Sequence, residues 1–209
     1  MKYISELITR YPALAGIEGT LNAAAEALIG VFEHGGKLLL CGNGGSAADC
    51  DHIAGELCKG FLSRRPLAAE EREIMKRGCP DIPEELLDSL QQGLPAVSLP
   101  AAAPLMTAVA NDCAADNVFA QQVMALGNIG DMLTCISTSG NAANVCAAAQ
   151  VARARGVFVL ALTGGDGGKL AKLADIAVIA PEKETYKVQE LHLPIYHALC
   201  AEAEARFFS

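Results

Sequence analysis

The sequence predicts an α/β protein: a three-layer, doubly wound, five-stranded parallel sheet with an N-terminal helix and a long C-terminal helix. Three observations predict it. Five short apolar runs recur along the 209 residues, helical patterns separate most of them, and the runs are continuously apolar rather than alternating. A strand that is apolar on both faces belongs to a sheet covered on both sides, the situation of parallel sheets joined by crossover helices. The length suits one sizeable domain spanning 1–209 and falls short of two comfortable ones.

The elements follow in order. "EGTLNAAAEALIGVFEH", Glu18 to His34, carries apolar side chains at helical spacing and stops at Gly35-Gly36. "KLLLCGN" is the first buried strand, followed by "AVSLP" (96–100), "DMLTCIS" (131–137), "VFVLALT" (157–163) and "IAVIA" (176–180). Helical patterns cover Asn141–Arg155 and Thr185–Phe208, and Pro194 is expected to kink or break the second of these. From Ser63 to Gly93 the chain is charged and proline-punctuated, with two short helical stretches near Ala68–Arg77 and Pro83–Gln91. This extended excursion, at about 63–93, lies between the first and second strands. Loops of that length in compact domains are usually functional or mobile.

Composition narrows the function classes. Hydrophobic residues make up 52% and charged ones 19%, with a net charge of −8 and a pI near 5.0. An acidic surface argues against a general nucleic-acid or anionic-membrane binder. An anionic ligand would need a site made locally from backbone N–H groups and hydroxyls. The eight cysteines (41, 50, 58, 79, 113, 135, 146 and 200) are scattered without a C-x-x-C pair, and several sit in apolar runs. That usage fits small buried hydrophobes in a reducing compartment. "MKYISELITRYPAL" has no signal-peptide apolar core, so a cytoplasmic location is expected.

Two strand exits have ligand-binding chemistry. In "CGNGGSAAD" glycines 42, 44 and 45 let the backbone approach a ligand, and Ser46 stands at a helix start. In "ISTSGNAAN", Ser137, Thr138 and Ser139 place three hydroxyls just before a helix. Hydroxyls and free N–H groups at a helix N-terminus suit a phosphate without lysine. Two well-capped turns would read the same way singly; finding both at strand exits of one sheet favours a ligand. Neither matches G-x-x-x-x-G-K-[ST] nor G-x-G-x-x-G, so a sugar phosphate fits better than a nucleotide.

The chain has four histidines. His52 and Glu56, at i and i+4, share a helix face just beyond the first glycine turn. "YKVQELHLPIYHAL" places Gln189, His192 and His197 at spacings of three and eight that roughly preserve a face. Imidazoles and a carboxylate on two helices can hold a divalent metal or work as an acid/base pair. The plainer alternative is a solvated i,i+4 pair plus one satisfied helix-packing histidine.

With these segments in view, the chain resembles the SIS (sugar isomerase) domain family, and within it the phosphoheptose isomerase group. The resemblance rests on "CGNGGSAADCDHIAGEL", "ANDCAADNVFAQQV", "GDMLTCISTSGNAANV", "LALTGGDGGKLAKLAD" and "YKVQELHLPIYHAL", in matching order over most of the chain outside Ser63–Gly93. It implies the flavodoxin-like SIS fold and conversion of sedoheptulose 7-phosphate to a manno-heptose 7-phosphate, the entry step to bacterial surface heptoses. It also implies a homotetramer with active sites between subunits, one zinc ion per subunit and no nucleotide cofactor. By motif, the zinc ligands fall on His52, Glu56, Gln189 and His197, with Glu56 and His197 also the acid/base pair. Substrate contacts fall on Asn43, Gly44, Gly45, Asn111, Asp112 and Gln189, and phosphate contacts on Ser46, Ser137, Thr138 and Ser139. His192 matches a histidine beside the site.

Three features depart from the family pattern: Ala142 where serine usually follows "STSGN", Tyr186 where an acidic residue often precedes the glutamine, and the long Ser63–Gly93 excursion. A different phosphorylated ketose is therefore an alternative substrate. Some relatives with this fold are non-catalytic sugar-phosphate regulators, or adaptors that bind a replication initiator. The adaptors typically lack the glutamate and histidine that stand here at 56 and 197, which favours an enzyme.

Overall fold

A computed structural model describes residues 1–208. Five strands form one all-parallel sheet: β1 (Leu38–Gly42), β2 (Ala96–Ser98), β3 (Met132–Ile136), β4 (Phe158–Gly164) and β5 (Ile176–Ala180). Their order is β2-β1-β3-β4-β5. Successive strand residues point to opposite faces, and here both faces are covered. Leu38, Leu40, Met132, Ile136, Leu160 and Leu162 pack into one apolar layer; Leu39, Cys41, Leu133, Cys135, Val159 and Ala161 pack into the other.

The first layer is closed by α1 (Lys2–Arg10), α2 (Glu18–Glu33), α3 (Gly45–Cys58) and α10 (Thr185–Phe208). The second is closed by α6 (Ala103–Asp112), α7 (Ala120–Leu126), α8 (Ala143–Ala154) and α9 (Gly168–Leu173). Helix α1 is fastened by a buried carboxylate, since Glu202 of α10 accepts the backbone N–H groups of Tyr3 (2.6 Å) and Ile4 (3.1 Å). A carboxylate at a helix N-terminus satisfies donors that have no partner within the helix.

Several expectations shift. The second strand ends at Ser98, because Pro100 cannot donate to a ladder and residues 99–101 turn into a 3₁₀ segment. The break at Pro194 does not occur: α10 continues to Phe208, held on both sides of the proline by buried Val188, His192, Ile195, Tyr196 and Leu199. Five of the eight cysteines are buried, but Cys58, Cys79 and Cys113 are exposed.

The excursion folds into α4 (Ala69–Gly78) and α5 (Glu84–Ser89), bound to each other where Arg72 reaches Glu84 (2.8 Å) and Asp88 (2.9 Å) and Lys76 reaches Glu84. An antiparallel bridge between Pro66 and Gln91 closes its base. No helix among the described residues is long and apolar enough to cross a membrane.

Candidate active site

The strand order reverses between β1 and β3, and ligands in open α/β sheets bind where such a reversal opens a crevice at the carboxyl ends. Both motif-bearing turns leave these two strands. Beyond β1, Gly44 adopts φ +56° and ψ −121°, a conformation that residues with a Cβ rarely take. At Gly45 a Cβ would stand 2.4 Å from Nε2 of Gln189, so glycine is what lets α10 lay its glutamine over the turn.

Between the exits lies a cleft of about 360 Å³, in the size range of small-molecule sites. Asn43, Gly44, Gly45 and Ser46 line one side, Ser137, Thr138, Ser139 and Ala142 the other, with Thr185 and Gln189 from the start of α10. No lysine or arginine is among the lining residues, so the cradle offers neutral donors, as the acidic composition requires. The turns are joined by a reciprocal amide pair: Asn43 Nδ2 donates to Asn144 Oδ1 (2.8 Å), and Asn144 Nδ2 donates back to Asn43 Oδ1 (2.9 Å). Asn144 and Thr185 carried no motif signal. Asn111 and Asp112 stand on the exposed end of α6 and do not line this cleft.

The titratable cluster lies further along α3. His52 Nε2 is 3.1 Å from Glu56 Oε1, and the Glu56 side chain is only 15% exposed. The His197 ring meets the His52 ring edge-on at a centroid distance of 5.0 Å and leans on Phe61 at 5.4 Å. Burial, and then the nearby His52, hold His197 below the usual imidazole value and favour its neutral form, outweighing the opposite pull of Glu56. Its Nε2 is buried and unpartnered. His197 also walls a second cavity of about 300 Å³ between α1, α10 and the 61–62 turn. His192 is a packing histidine, wholly buried, whose Nε2–H donates to the Thr163 carbonyl at 3.2 Å.

A buried ion pair sets the end of α3. Arg65 Nε donates to Glu204 Oε1 at 2.9 Å, and its two other nitrogens cap the carbonyls of Leu57 (2.7 Å) and Glu56 (3.1 Å). Glu204 also accepts the N–H groups of Phe61, Leu62 and Ser63, which fixes the turn carrying Phe61 against His197.

Two imidazoles, a carboxylate and an amide oxygen are donor types that zinc takes, and an orphaned buried imidazole nitrogen is consistent with such a role. The donors therefore fit a zinc ion in kind. In separation they are not gathered: among the described residues no three His, Cys, Asp or Glu side chains stand together as a metal cluster, and His52 and Glu56 instead contact each other.

The SIS domain model matches residues 2–82 and 86–164, so it runs through most of the excursion and stops before Gln189 and His197. The chain is 37% identical over 188 residues to a phosphoheptose isomerase of Aneurinibacillus thermoaerophilus, covering 90% of this chain and 82% of that protein. It is 40% identical over 180 residues to that of Helicobacter hepaticus, covering 86% and 79%. Among solved structures, a phosphoheptose isomerase from Neisseria gonorrhoeae superposes with a TM-score of 0.75 at 35% identity, over 96% of this chain and 94% of that one. One from Francisella tularensis gives 0.77 at 30%, over 98% and 95%. With these matches spanning nearly its whole length and sharing its sheet, the chain belongs to the SIS domain family and, within it, to the phosphoheptose isomerases.

Proposed function

We propose that this chain is an aldose–ketose isomerase that converts sedoheptulose 7-phosphate to a manno-heptose 7-phosphate through an enediol, the whole chain acting as one SIS domain. One observation carries the reading: a hydroxyl-lined cleft at the strand reversal, with the His52–Glu56 pair about two turns further along α3 and the His197 ring of α10 against His52.

Ser46, Ser137, Thr138 and Ser139 hold the phosphate, and Asn43, Gly44, Gly45 and Gln189 contact the sugar. The Glu56 carboxylate takes a proton from C1 of the ketose, forming the enediol, and returns it to C2. His197, kept neutral by its surroundings, delivers a proton to the C2 oxygen and receives one from the C1 oxygen. Charge and atoms balance: one proton moves from carbon to carbon, one from oxygen to oxygen. His52, Glu56, Gln189 and His197 are the residues that would hold zinc, which when bound would polarise the carbonyl and stabilise negative charge on the enediol oxygens.

The reading extends to a homotetramer with sites between subunits, in which Asn111 and Asp112, exposed on α6, would meet the cleft of a neighbouring copy, and to a cytoplasmic location. The test is Glu56→Gln, assayed for aldose formation and separately for sugar-phosphate binding. Loss of turnover with binding retained is expected; turnover near wild type refutes the assignment.

A further inference from the structure

The segment "LALTGGDGGKLAKLAD" carries part of the family resemblance, yet none of its residues lines the cleft. It forms the end of β4, the loop after it and α9, and that loop is bonded to the turn carrying Ser137, Thr138 and Ser139. Gly164 N–H donates to the Thr138 carbonyl at 3.0 Å, and Leu170 N–H to the Gly140 carbonyl at 2.9 Å. The Asn141 side chain makes two further links. Its Nδ2 donates to the Ser139 carbonyl at 2.7 Å, and its Oδ1 accepts the Lys169 N–H at 3.2 Å. The backbones can lie this close because glycine faces glycine: Gly140 and Gly168 have φ of +63° and +57°, and a Cβ on Gly168 would stand 2.6 Å from the carbonyl oxygens of Ser139 and Gly140.

The oxygens of a doubly ionised phosphate only accept hydrogen bonds, so a backbone carbonyl facing one would repel it. In this turn the Ser137 carbonyl accepts the Gly140 N–H at 2.9 Å, and the next three carbonyls are those tied to the loop and to Asn141. All four acceptors from Ser137 to Gly140 are therefore engaged within the protein. The Ser139 hydroxyl is sorted too: its oxygen accepts the Asn141 N–H at 3.2 Å, which leaves its proton to give. We infer that Asn141 is a positioning residue for phosphate recognition: by tying the Ser139 carbonyl to the loop after β4, its amide holds the Ser139 hydroxyl over the cleft as a donor. Asn141 does not itself line the cleft. Where no lysine or arginine lines a cradle, affinity rests on neutral donors oriented in advance, so a residue that fixes their orientation governs how tightly the anion is held.

This role rests on the phosphate cradle proposed above, and the test separates the two. Asn141 is exposed, so Asn141→Ala leaves the core intact. Titrated with sedoheptulose 7-phosphate and with inorganic phosphate, Asn141→Ala is expected to bind each about three- to tenfold more weakly than wild type, the worth of one neutral hydrogen bond. KM should rise by the same factor while kcat holds. In a Ser139→Ala background the same substitution should cost less than about twofold, because the hydroxyl it places is gone. A merely structural asparagine would lower the melting temperature and leave phosphate affinity where it was.

Unchanged affinity for both ligands in Asn141→Ala overturns the proposal, as does an equal fold-loss with and without the Ser139 hydroxyl. If Ser139→Ala weakens binding while Asn141→Ala does not, the cradle stands and the positioning role falls. Wild-type protein that binds neither ligand, or a Ser139→Ala protein with wild-type affinity for both, refutes Ser139 as a phosphate contact and the role of Asn141 with it.

Discussion

Glu204→Gln probes the buried ion pair that sets the end of α3. Glu204 and Arg65 are 3% and 1% exposed, and every partner of the carboxylate is a donor. Oε1 accepts from Phe61 N–H (2.7 Å) and Arg65 Nε–H (2.9 Å), while Oε2 accepts from Leu62 N–H (2.7 Å) and Ser63 N–H (3.2 Å). A glutamine offers an oxygen to one of these pairs only; its NH₂ faces donors in the other, and the guanidinium loses its counter-charge. Breaking a buried pair from one side costs about 3–5 kcal/mol. At about 2–4 °C per kcal/mol for a chain of this size, the melting temperature should fall by about 6–20 °C.

The assay is thermal and urea unfolding at neutral pH. A loss below about 1 kcal/mol would refute the claim that the pair is buried and mutually dependent.

The same carboxylate fixes a pH sign. Burial alone would raise it, but the Phe61 and Leu62 N–H groups and Arg65 outweigh burial and hold it below its ordinary value of 4.5. A lowered folded value gives stability that is present above about 4.5 and lost as pH falls through the folded value. The deficit of Glu204→Gln against wild type should therefore shrink in acid, as unfolding measured between neutral pH and pH 3 would show.

Three other outcomes are expected. Gly45→Ala should keep its melting temperature, since the Cβ meets only the flexible end of Gln189, but displacing that amide should raise KM up to about tenfold, the worth of one hydrogen bond. Thr138→Ala should weaken sugar-phosphate binding about 10- to 150-fold, as one hydrogen bond to a charged group is worth about 1.5–3 kcal/mol; calorimetric titration reads it. Ala142→Ser should raise stability by about 0.5–2 kcal/mol, because Ala142 is the N-cap of α8 and makes no side-chain cap. Urea unfolding checks that, and its added hydroxyl in the cleft should lower KM.

Much of the fold was legible because burial on both faces leaves a one-dimensional signature. The runs at 38–42, 132–136 and 158–164 are apolar apart from Thr134 and Thr163, and Thr185–Phe208 shows as helix from its spacing. The site was legible where chemistry is local: a glycine turn needs its glycines, and hydroxyls ahead of a helix stand together in the chain. Pro194 misled as to a break, since local propensity carries no information about the packing that keeps α10 helical across it. Asn144 and Tyr196 were silent for a related reason, being ordinary polar or aromatic helix residues until a partner arrives from 101 or 144 positions away.

By itself, then, the sequence determined the class of sheet, the two phosphate-suited turns and the histidine–glutamate pair, because each depends on residues within a few positions of one another. Only the tertiary structure decided that the two turns face each other across the strand reversal, that Gln189 lies over Gly45, and that Asn141 ties the second turn to the loop after β4. Those relations follow from strand order and helix packing, which depend on contacts made throughout the chain rather than on any one segment of it.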